Sequence, residues 1–214
     1  VGAGRTETLR TLFGLLPRKE GDIRLVTVPG IGSAPSPHRM INSGVSLLSE
    51  DRKNEGLALT RSIAENITFS TLPRLSRMGI VGDSAIEKAA ERSSARLSIK
   101  LNRVTDKVES LSGGNQQKAA LARLLEEDGD VFLLDEPTRG VDVGSKVEIF
   151  RLIGELAKQG KAVIIVSSYL PELLGVCDTI AVMYRGVLGK KRPVGEWDEY
   201  TIMNEATSGI ENIA

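Results

Sequence analysis

Residues 111–142, LSGGNQQKAALARLLEEDGDVFLLDEPTRGVD, hold most of the residue types that could do chemistry in this chain. Ser112, Gly113 and Gly114 carry little or no side chain and lead into an apolar-periodic run, Ala119, Ala120, Ala122, Leu124 and Leu125. A helix that opens this way points unpaired N–H groups and the positive end of its dipole at whatever lies in front, which suits an anion. The same opening taken alone also fits a plain helix cap. Next, Val131-Phe132-Leu133-Leu134 reads as a buried parallel strand that ends in Asp135-Glu136-Pro137. Ligands of open α/β sheets bind at the carboxyl ends of strands, so these carboxylates are placed to hold a metal ion and to activate a water.

A second group opens the chain. Gly2-Ala3-Gly4-Arg5-Thr6 precedes the helical pattern Leu9, Leu12, Phe13. A glycine-rich turn feeding a helix wraps backbone N–H groups around phosphates. Against the phosphate-binding pattern G-x-x-x-x-G-K-S/T, Gly4 fills the second glycine, Thr6 is the hydroxyl that would hold magnesium, and Arg5 stands where lysine belongs. Arginine keeps the charge but is planar and bulkier than a compact ammonium, so phosphate binding is expected and efficient hydrolysis is not.

The elements that must position these groups follow from periodicity and breakers. Ile23 to Val28 and Val45 to Leu48 read as strands separated by a Pro/Gly/Ser-rich loop from Pro29 to Pro37. His38, the one histidine, falls at the end of that loop without an evident partner. The second strand ends in a charged tip, Ser49-Glu50-Asp51-Arg52-Lys53, which taken without its flanks also fits a solvated turn. Residues 72–109 lack strand runs and read as a helical insertion of broken periodicity, with Ile86, Ala89, Ala90 and Leu97 its apolar positions and Arg92, Arg96, Lys100 and Arg103 in solvent. Ser145 and Glu148 are spaced as a capping box for a helix that turns Val147, Phe150, Leu152, Ile153 and Leu156 inward until Gly160. Ala162 to Val166 is the next strand, ending at Ser167-Ser168. Pro171 starts a helix, and Ile180 to Tyr184 with Val187-Leu188 around Arg185-Gly186 reads as a hairpin. From Pro193 onward a polar tail with one anchoring aromatic, Trp197, is expected.

Composition narrows the class. The 214 residues balance 28 Lys+Arg against 28 Asp+Glu, so nothing argues for a nucleic-acid surface. Ala162–Val166 is the longest apolar run, far below the ~18 residues of a membrane span, so any membrane role is expected to come through a partner. The single cysteine, Cys177, excludes an internal disulfide. The first residue already sits inside a motif, so the chain is expected to be a piece of a longer polypeptide.

The SGG helix and the Asp-Glu strand end, in this order and this close, resemble the signature sequence and Walker B strand of ABC-type ATPases. LLSEDRKNEGL followed by SIAENI (Ser62 to Ile67) is similar to the region around the Q-loop in sugar-import ATPases of the ribose, galactose and xylose type, and the pattern resembles their second cassette, cut inside the Walker A loop. The resemblance implies an α/β P-loop NTPase fold with a partly parallel sheet flanked by helices and an inserted helical subdomain. The core would be residues 1–71 and 110–192, the subdomain 72–109 and the tail 193–214. ATP and Mg2+ are the implied ligands. Gly2, Ala3, Gly4, Arg5, Thr6 and Glu50 would bind the nucleotide, Thr6 and Asp135 the metal. Glu136 would be the general base, Ser168 would hold the place of the switch histidine, and Asp142 would be the D-loop aspartate. Leu111, Ser112, Gly113, Gly114, Asn115 and Gln116 would act in trans, on ATP held by a second cassette.

The departures share one theme. Arg5, Glu50 and Ser168 replace groups that act around one nucleotide, whereas the SGG opening and Glu136 are intact. The resemblance therefore implies an ATP-binding subunit that sits on the cytoplasmic face of the cell membrane and couples ATP to monosaccharide uptake. Its own site would be degenerate. Its partners would be a second cassette, membrane permease subunits and, indirectly, a periplasmic sugar-binding protein. A soluble ABC ATPase outside transport, or a non-hydrolysing assembly cassette, stays open as an alternative.

Overall fold

The structure, a computed structural model, describes residues 2–25 and 36–209. Three strands, β1 (Val45–Leu48), β2 (Val131–Asp135) and β3 (Ala162–Val166), form a parallel sheet in the order β1-β2-β3, with Leu48 opposite Leu134 and Leu134 opposite Ile165. All occur where the apolar runs predict them. Because they run parallel, their carboxyl ends emerge together and bring Glu50, Asp135-Glu136 and Ser167-Ser168 to one edge of the sheet.

Side chains along β2 alternate between two cores, as the period of a strand requires. Leu133 joins Leu9 and Phe13 of α1 (Arg5–Phe13), Met40 of α2 (Pro37–Asn42) and Val45. Phe132 and Leu134 face the larger cluster on the other side, with Ala119, Ala120 and Leu124 of a long helix and Ile149, Leu152, Ile153 and Leu156 of another. That cluster continues without a break through Ile63 and Ile67 of α3 (Ile63–Thr68) to Ala90 and Leu97, beside α4 (Leu72–Leu75) and on or after α5 (Asp83–Arg96). The packed face of α5 consists of small residues, Ala89, Ala90, Ser93 and Ser94, which explains its weak apolar periodicity. Arg92, Arg96, Lys100 and Arg103 are exposed, as expected.

The two long helices are α6 (Gly113–Glu127) and α7 (Val143–Lys158), followed by α8 (Leu170–Val176). Short strands β4 (Thr179–Ile180), β5 (Met183–Tyr184), β6 (Val187–Leu188) and β7 (Arg192–Pro193) and a last helix, α9 (Glu199–Ser208), complete the chain. No helix among the described residues is long and apolar enough to cross a membrane.

Several expectations are corrected. Ile23 and Arg24 are not in a strand and Leu25 makes only an isolated bridge; Val26–Val28 lie outside the described residues, as does most of the 29–37 loop. His38 sits in α2, not in a loop, with Nε2 3.1 Å from the Asn42 amide nitrogen. Asp142, not Ser145, caps α7: its carboxylate accepts from the Ser145 N–H at 3.0 Å and hydroxyl at 2.8 Å, while Glu148 pairs with Lys118. Val147 is exposed, so the inward face of α7 is carried by Ile149, Leu152, Ile153 and Leu156. The strand expected over 180–184 breaks at 181–182, although the Arg185-Gly186 hairpin forms with both residues at positive φ. The polar tail includes α9; Trp197 is its anchor, donating to the Ile180 carbonyl at 3.2 Å with Arg192 stacked 3.5 Å from its ring.

Candidate nucleotide site

The turn before α1 is built on left-handed glycines, Gly2 at φ 79° and Gly4 at φ 97°. The Gly4 carbonyl accepts from the Thr8 N–H at 3.0 Å and hydroxyl at 2.8 Å, starting the helix under the turn. The hairpin β5–β6 braces it from behind: the Gly186 N–H donates to the Ala3 carbonyl at 2.8 Å.

Arg5 and Thr6, the first helical residues, meet the strand ends. Thr6 lies beside Asp135 and helps hold its carboxyl down, and the Arg5 guanidinium donates to the Ser167 carbonyl at 2.9 Å. Asp135 is 3% exposed and its Oδ1 has no hydrogen-bond partner. Burial pushes its carboxyl above the ordinary range, against the opposing pull of Thr6 and the nearby Arg5 charge. A buried carboxylate oxygen left open beside a hydroxyl is a hard-oxygen donor pair, and it fits magnesium. No cluster of three His, Cys, Asp or Glu side chains among the described residues could cage a metal by itself. Magnesium commonly takes one or two protein oxygens and fills its remaining positions with phosphate oxygens and water, and this pair suits that arrangement.

Glu136 follows at φ 48°, in the left-handed region that a non-glycine residue occupies at a cost of about 1–3 kcal/mol. It is held there by its N–H donating to the Val166 carbonyl at 2.8 Å and its carbonyl accepting from the Arg139 N–H at 3.1 Å. Backbone distortion of this kind commonly serves a site. Ser168 stands exposed one residue beyond the buried Ser167. Glu50, at the tip of β1, is ion-paired with Arg139.

The opening of α6 forms a second centre. Ser112 is exposed and extended at φ −60°, ψ 158°, with its hydroxyl capping the helix through the Asn115 N–H at 3.4 Å. Leu111 and Gln116 are buried, and the Gln116 amide holds the Leu111 carbonyl at 3.2 Å. Asn115 donates to Ser112 Oγ at 3.0 Å and accepts from the Lys100 N–H at 3.0 Å. Gly114 permits a close approach to the start of α7: a Cβ there would lie 3.1 Å from Ser145 Oγ and 3.2 Å from Asp142 Oδ2. Bonds from Ser145 hold the Asp142 carboxyl below the usual carboxylate range.

Sequence reasoning missed three groups. Arg52, in the tip that by itself fits a solvated turn, is half-buried and donates to the Arg139 carbonyl at 2.8 Å. Arg139 itself is the partner of Glu50. Glu172, 8% exposed, accepts from Thr138 Oγ1 at 2.7 Å and Lys146 Nζ at 2.8 Å.

A glycine turn into a helix, a hydroxyl on a buried strand-end aspartate, and a second carboxylate beside it define a nucleotide-binding α/β cassette. The sequence profile described as "ABC transporter" matches residues 1–139, and the chain belongs to that family. It is 44% identical over 207 residues to the ribose import ATP-binding protein RbsA of Pseudomonas putida, covering 97% of this chain and 40% of that protein. It is 45% identical over 213 residues to RbsA 3 of Rubrobacter xylanophilus, covering 100% and 42% respectively. A putative ribose/galactose/methyl galactoside import ATP-binding protein of Rhizobium etli is 44% identical over 209 residues, with 98% and 40% covered. The chain thus spans about two fifths of the length of these relatives. The dimeric ATP-binding cassette MJ0796 bound to ADP and Pi superposes with a TM-score of 0.75 at 19% identity, covering 90% of this chain and 81% of the other. CbiO1 from Clostridium perfringens gives 0.71 at 23%, covering 91% and 74%. These structural likenesses establish the ABC cassette fold.

Proposed function

We propose that this chain is an ATP-binding cassette of a sugar importer, which couples ATP binding and hydrolysis to uptake of a monosaccharide at the cytoplasmic face of the membrane. The observation that carries the reading is the match to ribose import ATP-binding proteins along 97–100% of the chain. Within that reading the cassette divides its labour. At its own loop, Gly2, Ala3, Gly4, Arg5 and Thr6 cradle a nucleotide with Glu50 at the margin. Thr6 and Asp135 hold magnesium, which when bound draws charge off the phosphate oxygens. Glu136 is placed to take a proton from an attacking water. The engagement of Arg5 with Ser167, of Glu50 with Arg139, and the short Ser168 side chain make this loop a poor hydrolytic site.

The exposed opening of α6 serves a second cassette. Leu111, Asn115 and Gln116 keep the turn rigid. The Ser112 hydroxyl and the leading amides of Gly113 and Gly114 stabilise charge on a phosphoryl group held by the other cassette. Asp142 locks the start of α7 against that end. The 72–109 subdomain faces the permease, which suits the exposed apolar side chains Phe69, Met78 and Ile80 at its margin. A periplasmic sugar-binding protein would supply the cargo and set its identity.

The test is ATP turnover and sugar uptake by the assembled importer carrying Ser112→Arg or Glu136→Gln in this cassette. Ser112→Arg is expected to abolish both, and Glu136→Gln to leave uptake partly intact. Equal loss in the two variants would defeat the division of labour. Pull-down of two permease subunits with the full-length protein is the expected outcome that separates importer from soluble ATPase.

A further inference from the structure

Behind the opening of α6 lies a cation that the proposed chemistry does not yet use. Arg52 stands at the start of a short π-helical turn, Arg52–Gly56, just after the tip that carries Glu50. Its Nη1 donates to the Arg139 carbonyl at 2.8 Å and lies 3.5 Å from Gln117 Oε1 of α6. Its Nη2 would come within 2.9 Å of a Cβ at Gly113, and its Nη groups within 3.6 Å of one at Gly140. The guanidinium is therefore wedged between the first turn of α6 and the loop that follows the metal strand. Its Nε is buried with no hydrogen-bond partner.

This is an unfavourable place for a positive charge in the absence of an anion. Cations are destabilising beside a helix N-terminus because they face the positive end of the dipole. The same juxtaposition becomes favourable when an anion arrives, since amides and guanidinium then attract it together. The neighbouring contacts are arranged to keep the wedge in place. Glu50 pairs with Arg139, whose carbonyl receives Arg52, and the buried Gln117 amide donates to the Pro137 carbonyl at 2.8 Å. The β1 tip, the loop 137–140 and the first turn of α6 thus form one polar cluster around Arg52.

We propose that Arg52 is a positioning residue for phosphoryl transfer in the partner cassette: it fixes the α6 opening and supplies the positive charge behind its amides. The inference rests on the reading that this opening acts in trans. It also gives the Glu50 tip a physical link to the other nucleotide, through Arg139 and Arg52.

The experiment uses the full-length protein assembled with its permease, with orthovanadate as the phosphoryl-like anion. Arg52→Gln keeps hydrogen-bonding capacity and removes the charge. It is expected to raise the vanadate concentration for half-inhibition about tenfold and to lower kcat by a similar factor, with KM for ATP changed less than twofold. Arg52→Lys restores the charge and is expected to lie within about threefold of the parent protein on both measures. Lys53→Gln, which removes the adjacent exposed cation, is expected to match the parent. Parent-like vanadate sensitivity in Arg52→Gln, or a Lys variant as impaired as Gln, would overturn the proposal. If Arg52→Gln melts well below the parent, Arg52→Lys decides alone, a tenfold loss there counting against the charge. Ser112→Arg runs in parallel. Activity retained in Ser112→Arg defeats the trans reading and this inference with it, whereas activity lost there but retained in Arg52→Gln defeats this inference only.

Discussion

The Arg5 guanidinium donates to the Ser167 carbonyl across 2.9 Å, which ties the cation at the lysine position of the phosphate loop to the end of β3. A guanidinium so engaged is planar and turned toward a backbone acceptor. A lysine ammonium at the same place would be a compact charge free to reach between phosphates. Arg5→Lys is therefore expected to tighten ATP binding at this cassette's own loop by about tenfold, or about 1.4 kcal/mol. Calorimetric titration of the two proteins with ATP and magnesium checks it, and unchanged affinity would mean that Arg5 is not what weakens the loop.

Asp135 makes a pH-dependent prediction. Its carboxyl is raised by burial, so the folded state holds the proton more tightly than the unfolded chain does. The stabilising contribution of that protonated group is complete below the unfolded value of about 3.9 and is lost as pH rises through the higher folded value. Once that proton is lost, the metal-free protein carries a buried charge with one unsatisfied oxygen. Asp135→Asn is expected to raise the metal-free melting temperature at pH 7 by about 2–4 °C, equivalent to about 1 kcal/mol for a chain of this size. The gain should vanish near pH 4, and the variant should lose stabilisation by ATP with magnesium. Thermal melts at the two pH values decide.

The sheet was legible because its strands are short apolar runs bounded by breakers, and their parallel arrangement follows from the helices between them. The nearness of Thr6 to Asp135 is what the phosphate-loop pattern and the family resemblance imply together. What escaped the sequence was decided at long range or by competition. Arg52 finds its acceptor 87 residues away, so a local pattern reads it only as a charged turn. Asp142 and Ser145 both have the chemistry of a cap; Asp142 wins because its carboxylate accepts from the Ser145 N–H and hydroxyl at once. Helix α9 buries only Ile202 and depends on the Asp198 cap and the Arg192–Glu205 pair, so it lacks an apolar stripe to announce it.

Glu172 joins parts of the site that the sequence leaves unconnected. It receives Thr138 from the loop after β2, Lys146 from α7 and, at 3.4 Å, Ser167 from the end of β3. Removing the carboxylate strands a lysine that is 31% exposed and buried hydroxyls beside it. Glu172→Ala is expected to cost about 3 kcal/mol, the lower end for breaking a buried pair because Lys146 retains some solvent. Glu172→Gln, which still accepts from Thr138, should cost about half as much. Denaturant melts of the variants measure the difference, and a loss below about 1 kcal/mol in the alanine variant would show that the network is not holding the loops.

Two glycines separate stability from function. A Cβ at Gly129 would lie 2.7 Å from the Gly44 carbonyl oxygen and 3.0 Å from Ser46 Oγ. That carbonyl already accepts from the Asp130 and Val131 N–H groups at 2.7 and 3.0 Å, so it cannot retreat without loosening the start of β2. Gly129→Ala is expected to destabilise the protein by about 2–3 kcal/mol, in the upper range for overpacking. At Gly113 an added Cβ would meet Arg52 Nη2 at 2.9 Å and the Gly140 carbonyl oxygen at 3.3 Å, and the side chain is the one that yields, at the loss of its bond to the Arg139 carbonyl. Gly113→Ala is therefore expected to cost about 1–2 kcal/mol in stability, less than Gly129→Ala. It should nonetheless depress ATP turnover by the assembled importer, because the swing takes Arg52 off the Arg139 carbonyl and places a methyl group in the first turn of α6. Melting temperature and turnover measured on the same preparations distinguish the two glycines; a Gly113 variant with parent-like turnover would show that the first turn tolerates a side chain where the proposed phosphoryl contact requires none.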